Sequence, residues 1–175
     1  MNLSTFSTII AAAATLGAAA TIAALVVLCS PQLSKLRAKL QRYALASAAV
    51  VAVLAAVSSL LLSDYYDLPP CKLCWYQRIG MYPLAAILPI AAWRRDATIR
   101  FYALPVALCA LAVAVFHALV ERLPSLQGAG SCEIANPCSI VWFTKFGYFT
   151  IPVGAGICLA FISVCLILAR PSRTA

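Results

Sequence analysis

Long apolar segments without acidic residues alternate with short polar ones along this chain of 175 residues. The apolar segments are 8–29, 43–63, 74–93, 101–120 and 146–169. About 20 apolar residues in a helix, rising roughly 1.5 Å each, cross a hydrocarbon layer of about 30 Å. The pattern therefore predicts an all-α fold, a polytopic membrane helix bundle with five transmembrane helices.

The first apolar segment has a signal peptide as its alternative interpretation. It lacks a basic region ahead of the apolar stretch, and no small-residue cleavage pattern precedes Ser30. We predict an uncleaved N-terminal helix in residues 1–34, either an extra transmembrane segment or a signal anchor. Residues 35–175 then form a four-helix membrane domain whose external redox loop covers 121–146. The basic stretch 31–42, which joins these two parts, is expected to act as a connector at the membrane surface.

The composition supports a lipid environment, since 64% of the residues are hydrophobic and only 10% are charged. A soluble domain carries about 25% charged residues. The net charge of +8 does not point to nucleic acid, because the basic residues lie in short segments between apolar ones. By the positive-inside rule, the segments 31–42, 94–100 and 170–175 are cytoplasmic. The N-terminus and the loop 121–146 then lie outside, where disulfides persist.

Cys71 and Cys74 form a Cys-x-x-Cys motif directly after Pro69-Pro70. Proline is favoured at the start of a helix, so the motif is predicted on the first turn of the third helix. The helix N-terminus and a nearby arginine both favour a thiolate. A disulfide across three residues closes too small a loop to stabilise the fold much, which favours a redox role. Half of a zinc site is the alternative, with Cys132 and Cys138 as the other ligands.

Two further polar residues lie within apolar segments. Arg78 follows Cys74 on the same predicted helix face, where a charge needs a partner such as a thiolate or a quinone oxygen; snorkelling to the interface is its alternative. His117 precedes Glu121 by one helical turn. It is either an interfacial histidine bonded to Glu121 or a proton carrier for the redox reaction.

Cys132 and Cys138 flank an Asn136-Pro137 turn in the external loop, so their sulfurs can meet. Either they form an ordinary stabilising disulfide or they are a second redox pair that relays electrons to Cys71 and Cys74. The remaining cysteines are interpreted as apolar packing residues; they are Cys29, Cys109, Cys158 and Cys165.

The segment Pro-Cys-Lys-Leu-Cys-Trp-Tyr-Gln-Arg-Ile-Gly-Met-Tyr-Pro-Leu, residues 70–84, resembles the DsbB/BdbC family of membrane thiol:quinone oxidoreductases. So do the Asn-Pro-Cys ending at Cys138 and the segment 146–152. The short spacing between Cys132 and Cys138 is closer to the BdbC-like branch. The resemblance covers about 42–170, so the N-terminal helix is an addition to it.

The resemblance implies a four-helix bundle in the bacterial cytoplasmic membrane. It implies that a soluble thioredoxin-like, DsbA-like thiol oxidase is reoxidised and that two electrons pass to a membrane quinone, ubiquinone or menaquinone, with no metal. By that match, Cys132 is attacked by the partner, Cys138 exchanges with Cys71, and Cys74 is the quinone-facing thiolate. Arg78 and His117 correspond to quinone-proximal residues.

Two other functions are compatible with a membrane Cys-x-x-Cys motif. A vitamin K epoxide reductase-type enzyme also uses a membrane Cys-x-x-Cys motif, but that motif is expected late in the bundle, whereas Cys71 opens the third of five segments. A non-enzymatic membrane module with a structural metal site is the other alternative, and bound zinc without thiol oxidation is its signature.

Overall fold

The structure, a computed structural model, describes residues 2–126, 132 and 136–169. Its five α-helices are α1 (Leu3–Cys29), α2 (Ser34–Leu60), α3 (Lys72–Arg94), α4 (Arg100–Arg122) and α5 (Ile151–Leu168). A π-helical turn, Leu61–Tyr65, extends α2, and short 3-10 turns occur at Pro31–Leu33, Ala97–Ile99 and Pro124–Leu126. The described residues contain no named strand, so the predicted all-α bundle is confirmed.

Two predicted boundaries are wrong. The basic stretch 31–42 is not a separate connector, because α2 already begins at Ser34. Its lysine, arginine, leucine and glutamine residues are good helix formers, so they continue the helix toward the membrane surface. The fifth helix begins at Ile151 rather than near residue 146. Phe146 and Gly147 both have positive φ angles and form a turn there.

Among the described residues, four helical segments are long and apolar enough to cross a membrane: Leu3–Cys29, Pro31–Tyr65, Ala97–Arg122 and Ile151–Leu168. These segments identify a multi-pass membrane protein. The helix α3 is less apolar but has 23 residues, enough for about 35 Å at 1.5 Å each. It packs against both α2 and α4. Its polar residues Gln77 and Arg78 are buried in the bundle, away from lipid.

Small residues allow the helices to approach closely, as is usual in membranes. A Cβ atom added at Gly80 of α3 would lie 2.5 Å from the Cβ atom of Ala110 in α4. Fully buried large side chains pack in the core between the helices. They include Leu84, Leu88, Leu159, Ile162 and Leu166.

The bundle has two chemically distinct ends. At one end, Lys145 Nζ donates to Ser4 Oγ over 3.1 Å, and Arg122 Nη2 donates to the carbonyl of Tyr148. This end also holds the start of α3, with both of its cysteines. At the other end, Arg100 Nη1 donates to the carbonyl of Ala169 over 3.0 Å. The basic segment 94–100 is therefore opposite the cysteines; the tail 170–175 lies outside the described residues.

Candidate active site

The first turn of α3 holds the Cys-x-x-Cys motif, as the sequence predicts. Cys71 is the N-cap residue with extended backbone angles (φ −71°, ψ 172°). Its Sγ atom accepts a hydrogen bond from the backbone N–H of Cys74 over 3.4 Å. That N–H is one of the groups that a helix N-terminus leaves without an intrahelical acceptor. The motif thus caps its own helix, and the positive end of the Cys74 N–H dipole points at the sulfur of Cys71.

The two thiols of this motif are in direct contact. Both are free, and their Sγ atoms are 3.0 Å apart. The hydrogen bond with the Cys74 side chain is the main cause that lowers the pKa of Cys71 to about 4; burial opposes it, and the bond and charge of His117 assist. These contacts therefore favour a thiolate on Cys71 compared with an isolated cysteine.

The sequence predicts thiolate stabilisation in this motif, and the resemblance assigns the thiolate to Cys74. In the state described by the structure, the hydrogen bonds that stabilise a thiolate are made to Cys71 instead. Cys71 is buried and Cys74 is half-buried. The assignment of Cys74 as the residue that faces the acceptor stays a prediction, and its position on a cavity wall, described below, agrees with it.

His117 of α4 connects the two cysteine pairs. Its Nδ1 atom is 2.9 Å from Gln77 Nε2, and its Nε2 atom is 3.6 Å from Cys71 Sγ and 3.1 Å from the carbonyl oxygen of Cys138. Because the amide nitrogen of Gln77 is a donor, a neutral His117 accepts at Nδ1 and carries its proton on Nε2. That proton points at the Cys71 sulfur and the Cys138 carbonyl.

The structure gives His117 other partners than the expected Glu121, and its role as a proton carrier stays a prediction. Glu121 accepts a hydrogen bond from Thr150 Oγ1 over 2.6 Å, while His117 uses its ring nitrogens for other partners. The ring is 3% exposed and lies beside Cys71. It is not among the residues that line the cavity next to Cys74. Its role as a quinone-binding residue stays a prediction, whereas its contact with the thiol pair is direct.

Cys132 and Cys138 form a disulfide, with their Cα atoms 5.8 Å apart. The neighbouring positions 127–131 and 133–135 lie outside the described residues. Asn136 Nδ2 donates to the carbonyl of Pro69 over 3.4 Å, which holds this loop against the start of α3. Cys138 is 2% exposed and shares an apolar cluster with Cys71 and Val120. Cys132 is half-buried, so it is the more accessible sulfur of the two.

Arg78 is held inside the bundle. Its Nε and Nη2 atoms donate to Ser59 of α2, to Oγ over 3.0 Å and to the carbonyl oxygen over 2.9 Å. Its guanidinium carbon lies 5.2 Å from the ring centroid of Trp75 and 6.0 Å from that of Tyr82. A side chain that snorkels would reach the interface instead, so the structure does not support that alternative.

A cavity of about 280 Å³ lies between α1, α2, α3 and α5. Most of its wall is apolar. Polar groups are concentrated at the α2–α3 side, namely Ser58, Ser59, Cys74, Gln77 and Arg78. Trp142 and Phe149, from the segment before α5, also line it. An apolar cavity with a few convergent polar groups is typical of small-molecule sites.

The cavity and the disulfide loop lie on two sides of one dithiol. Cys74 lines the cavity, whereas Cys71 contacts His117 and the cluster around Cys138. The structure thus brings all four predicted cysteines into one site, together with Arg78 and His117. It also shows that the ligand atoms of Cys71, Cys74 and His117 lie within 4.8 Å of one another, close enough to hold a metal ion. The four-cysteine zinc set is not formed in this state, because Cys132 and Cys138 are joined.

Sequence reasoning missed two contributors to the site. Gln77 orients His117, and its buried amide within an apolar segment was a usable signal, because polar groups in a membrane are costly without partners. Ser59 holds Arg78 through both its hydroxyl and its carbonyl. A serine is common in membrane helices, so nothing in the sequence distinguishes Ser59 from its neighbours.

A membrane helix bundle with two adjacent cysteine pairs defines the class of protein, a multi-pass membrane thiol oxidoreductase. Comparison with known proteins identifies the family. Residues 41–169 match the family described as "Disulfide bond formation protein DsbB". The chain belongs to this family, and its role is in disulfide bond formation. No solved structure matches the chain significantly.

Several individual proteins are similar over most of their length. "Disulfide bond formation protein C" of Bacillus subtilis (strain 168) is 37% identical over 125 residues, which cover 71% of this chain and 91% of that protein. "Probable disulfide formation protein C 1" of Bacillus anthracis is 36% identical, covering 74% and 93%. "Probable disulfide formation protein" of Coxiella burnetii (strain Dugway 5J108-111) is 35% identical, covering 74% and 89%. These matches favour the DsbB/BdbC family over the vitamin K epoxide reductase type.

Proposed function

We propose that the protein is a protein-dithiol:quinone oxidoreductase that reoxidises a soluble thioredoxin-like thiol oxidase. The observation that carries the proposal is the position of the Cys71–Cys74 dithiol. It lies between a disulfide, Cys132–Cys138, and an apolar cavity beside Arg78. Electrons that enter at the disulfide can therefore leave at the cavity without crossing unreactive protein.

The entry step uses the more accessible sulfur. A thiolate of the reduced partner attacks Cys132 Sγ, the Cys132–Cys138 bond breaks, and Cys138 leaves as a thiolate. The second partner thiolate then attacks the mixed disulfide, which releases the oxidised partner and leaves Cys132 reduced. Burial of Cys138 supports this order, because an external thiolate reaches Cys132 more easily.

The relay step starts from an oxidised Cys71–Cys74 pair. Cys138 attacks Cys71 Sγ and displaces the Cys74 thiolate, and Cys132 then attacks Cys138, which restores the Cys132–Cys138 disulfide. The dithiol Cys71 and Cys74 is left reduced, which is the combination of states that the structure describes. His117 donates from Nε2 to the Cys71 sulfur and so stabilises it as a thiolate whenever it is reduced.

The residues around the cavity fit a quinone. Apolar walls suit its ring and tail, and a guanidinium has five N–H donors, of which Arg78 gives Nε and one Nη2 hydrogen to Ser59. The remaining donors suit a quinone carbonyl oxygen. When bound, a quinone of the ubiquinone or menaquinone class would accept two electrons from the dithiol, which returns to a disulfide, together with the one thiol proton of the pair and a second proton from solvent. Arg78 orients that acceptor, and the apolar wall excludes water.

We place the cysteine end on the extracytoplasmic side of the bacterial cytoplasmic membrane. The support is the separation of the basic segment 94–100 from the cysteines, together with the positive-inside rule. In this orientation the disulfide loop meets a soluble partner in an oxidising compartment.

Quinone reduction by purified protein in detergent tests the proposal. A reduced thioredoxin-like oxidase and a soluble quinone are supplied, and quinone absorbance is followed over time. Turnover is expected, and it should vanish in the Cys74→Ser variant. Absence of turnover with benzoquinones and naphthoquinones, from folded protein with intact thiols, would contradict the proposal.

A structural metal site is the second candidate, favoured by the proximity of Cys71, Cys74 and His117. Two thiolates and an imidazole are common zinc ligands. Metal analysis of protein purified without chelators separates the two functions. Stoichiometric zinc that is lost in His117→Ala, combined with no thiol oxidation, would favour the metal site.

A further inference from the structure

The acceptor cavity has a wall that lies outside the residues that match the family. The match begins at residue 41, whereas four cavity-lining residues belong to α1, namely Ile10, Ala13, Ala14 and Gly17. Their spacing places them on one face of the helix. The helix that is added to the family's domain therefore takes part in the candidate active site.

Contacts at the cysteine end hold α1 in this position. The rings of Phe6 and Tyr66 have centroids 5.2 Å apart, and Lys145 donates to Ser4. Ala11 is fully buried and packs in one cluster with Phe149, which itself lines the cavity. These contacts join α1 to the end of α2 and to the segment before α5, so its cavity face is fixed relative to the dithiol.

The helix α1 separates the cavity from the surroundings of the bundle. The other long walls come from α2 and α5, and α1 packs against both. Its opposite face is open, with Leu16 73% exposed and Ile22 64% exposed. A lipid-soluble molecule between α2 and α5 is therefore covered by α1 on one side.

The side chains on the cavity face of α1 are mostly small. A Cβ atom added at Gly17 would contact only Ile157, at 3.9 Å, so space remains beside the backbone. From Ile10 to Gly17 the face extends about 10 Å along the helix, away from the cysteine end. Small residues along such a length leave room for an apolar chain that starts near Cys74.

We propose that this face of α1 is a specificity-determining wall that admits quinones with an apolar tail. The inference rests on the proposed function, since it names a selectivity of the same cavity. The quinone ring lies by Cys74 and Arg78, and the tail passes along Ala13, Ala14 and Gly17. Larger side chains at these positions would block the path of the tail but would not block the space occupied by the ring.

The test compares Ala13→Leu with Ala12→Leu. Both alanines are exposed, and Ala12 is on the other side of the helix, outside the cavity lining. Steady-state kcat and KM are measured with one benzoquinone ring, with and without a decyl tail. For Ala13→Leu, kcat/KM for the tailed quinone relative to the tailless one is expected to fall about tenfold or more, because a misfit of one methylene costs about that much. For Ala12→Leu the ratio should be unchanged.

Each outcome has one meaning. An unchanged ratio in a folded Ala13→Leu variant would overturn the role of α1 and leave the proposed function standing. If the unaltered protein reduces neither quinone, the proposed function itself has failed. Disulfide exchange with the reduced thioredoxin-like protein reports folding independently of the cavity. If Ala13→Leu fails that check, Gly17→Ala decides, because it adds one methyl group without a clash and should lower the same ratio by a smaller factor.

Discussion

At the scale of single residues, the two neighbouring thiols of the site have different environments and therefore different roles. Cys71 is buried, accepts a hydrogen bond from the backbone N–H of Cys74 and contacts His117, whereas the side chain of Cys74 lines the cavity. A hydrogen-bonded thiolate is stabilised, and its thiol is a better leaving group in disulfide exchange. The contact between the two thiols therefore makes Cys71 the better leaving group in the relay.

Removing the donor at position 74 should raise the pKa of Cys71. The pKa is held near 4, below its usual 9.0, mainly by the Cys74 side chain, so the thiolate is present above about pH 4 and is lost below it. In Cys74→Ala the transition should move to clearly higher pH, and in Cys74→Ser, which keeps a donor, it should move less. Ultraviolet absorbance of the thiolate against pH measures this, with Cys71→Ser subtracting the other thiols. Identical curves for Cys74→Ala and Cys74→Ser would contradict the assignment.

Arg78→Lys should impair the acceptor reaction without affecting the entry of electrons. Lysine keeps the charge but cannot form the two bonds that the guanidinium makes with Ser59. We expect kcat/KM for quinone to fall about tenfold or more, since a hydrogen bond of a charged group contributes about 1.5–3 kcal/mol. Ser59→Ala, which removes only the hydroxyl, should have a smaller effect in the same assay. Equal loss of the rate of exchange with the soluble dithiol protein would show that Arg78 acts elsewhere.

At the scale of elements, close packing of α3 against α4 positions the site. Gln77 and Arg78 on α3 reach His117 on α4 and Ser59 on α2 only because the helix backbones are near. Gly80, one turn below Gln77, allows the approach to Ala110. The geometry of the dithiol thus depends on the apolar contact between Gly80 and Ala110.

Gly80→Ala and Gly156→Ala form a matched pair of helical substitutions. The new Cβ atom would lie 2.5 Å from Ala110 at position 80, but in ordinary contact at 3.7 Å from Ala114 at position 156. Gly80→Ala should lower the free energy of unfolding by about 1–3 kcal/mol through overpacking. Gly156→Ala should be neutral or stabilising by up to about 1 kcal/mol through helix propensity. Thermal unfolding in detergent measures both, and equal midpoints would contradict close packing at Gly80.

At the scale of the whole molecule, α1 brings the N-terminus to the end that holds the cysteines. Ser4 and Phe6 of α1 contact Lys145 and Tyr66 at that end. Gln32, in the turn that follows α1, lies at the opposite end. With the N-terminus at the cysteine end, a single crossing by α1 places the basic segment 31–42 at the opposite end, which is the arrangement that the positive-inside rule favours.

Labelling with a membrane-impermeant maleimide should reveal the orientation. In a background without exposed native thiols, Asn2→Cys should react in intact cells, and Gln32→Cys should react only after permeabilisation. Both positions are exposed and flank α1. The reverse pattern would place the dithiol on the cytoplasmic side and contradict the proposed contact with an extracytoplasmic partner.

The sequence by itself determined the five helices, the class of protein and the position of the first thiol pair. Apolar length and basic loops are local properties, so a linear pattern suffices to predict them. The start of α3 at Cys71 followed from the two prolines before it, which restrict the backbone. The boundaries of α2 and α5 were less accurate, because helix propensity and a turn at Phe146 and Gly147 override the apolar pattern.

Only the tertiary structure decided which polar groups meet. His117 contacts Cys71 rather than the cavity, Arg78 bonds to Ser59, and α1 lines the cavity. Each of these contacts joins different helices, and their partners depend on how the helices rotate and pack. Packing in a bilayer is set by shape and by small residues along whole helix faces, which no single motif specifies. The motif therefore predicted the chemistry, and the arrangement of the helices decided where the electrons can enter and leave.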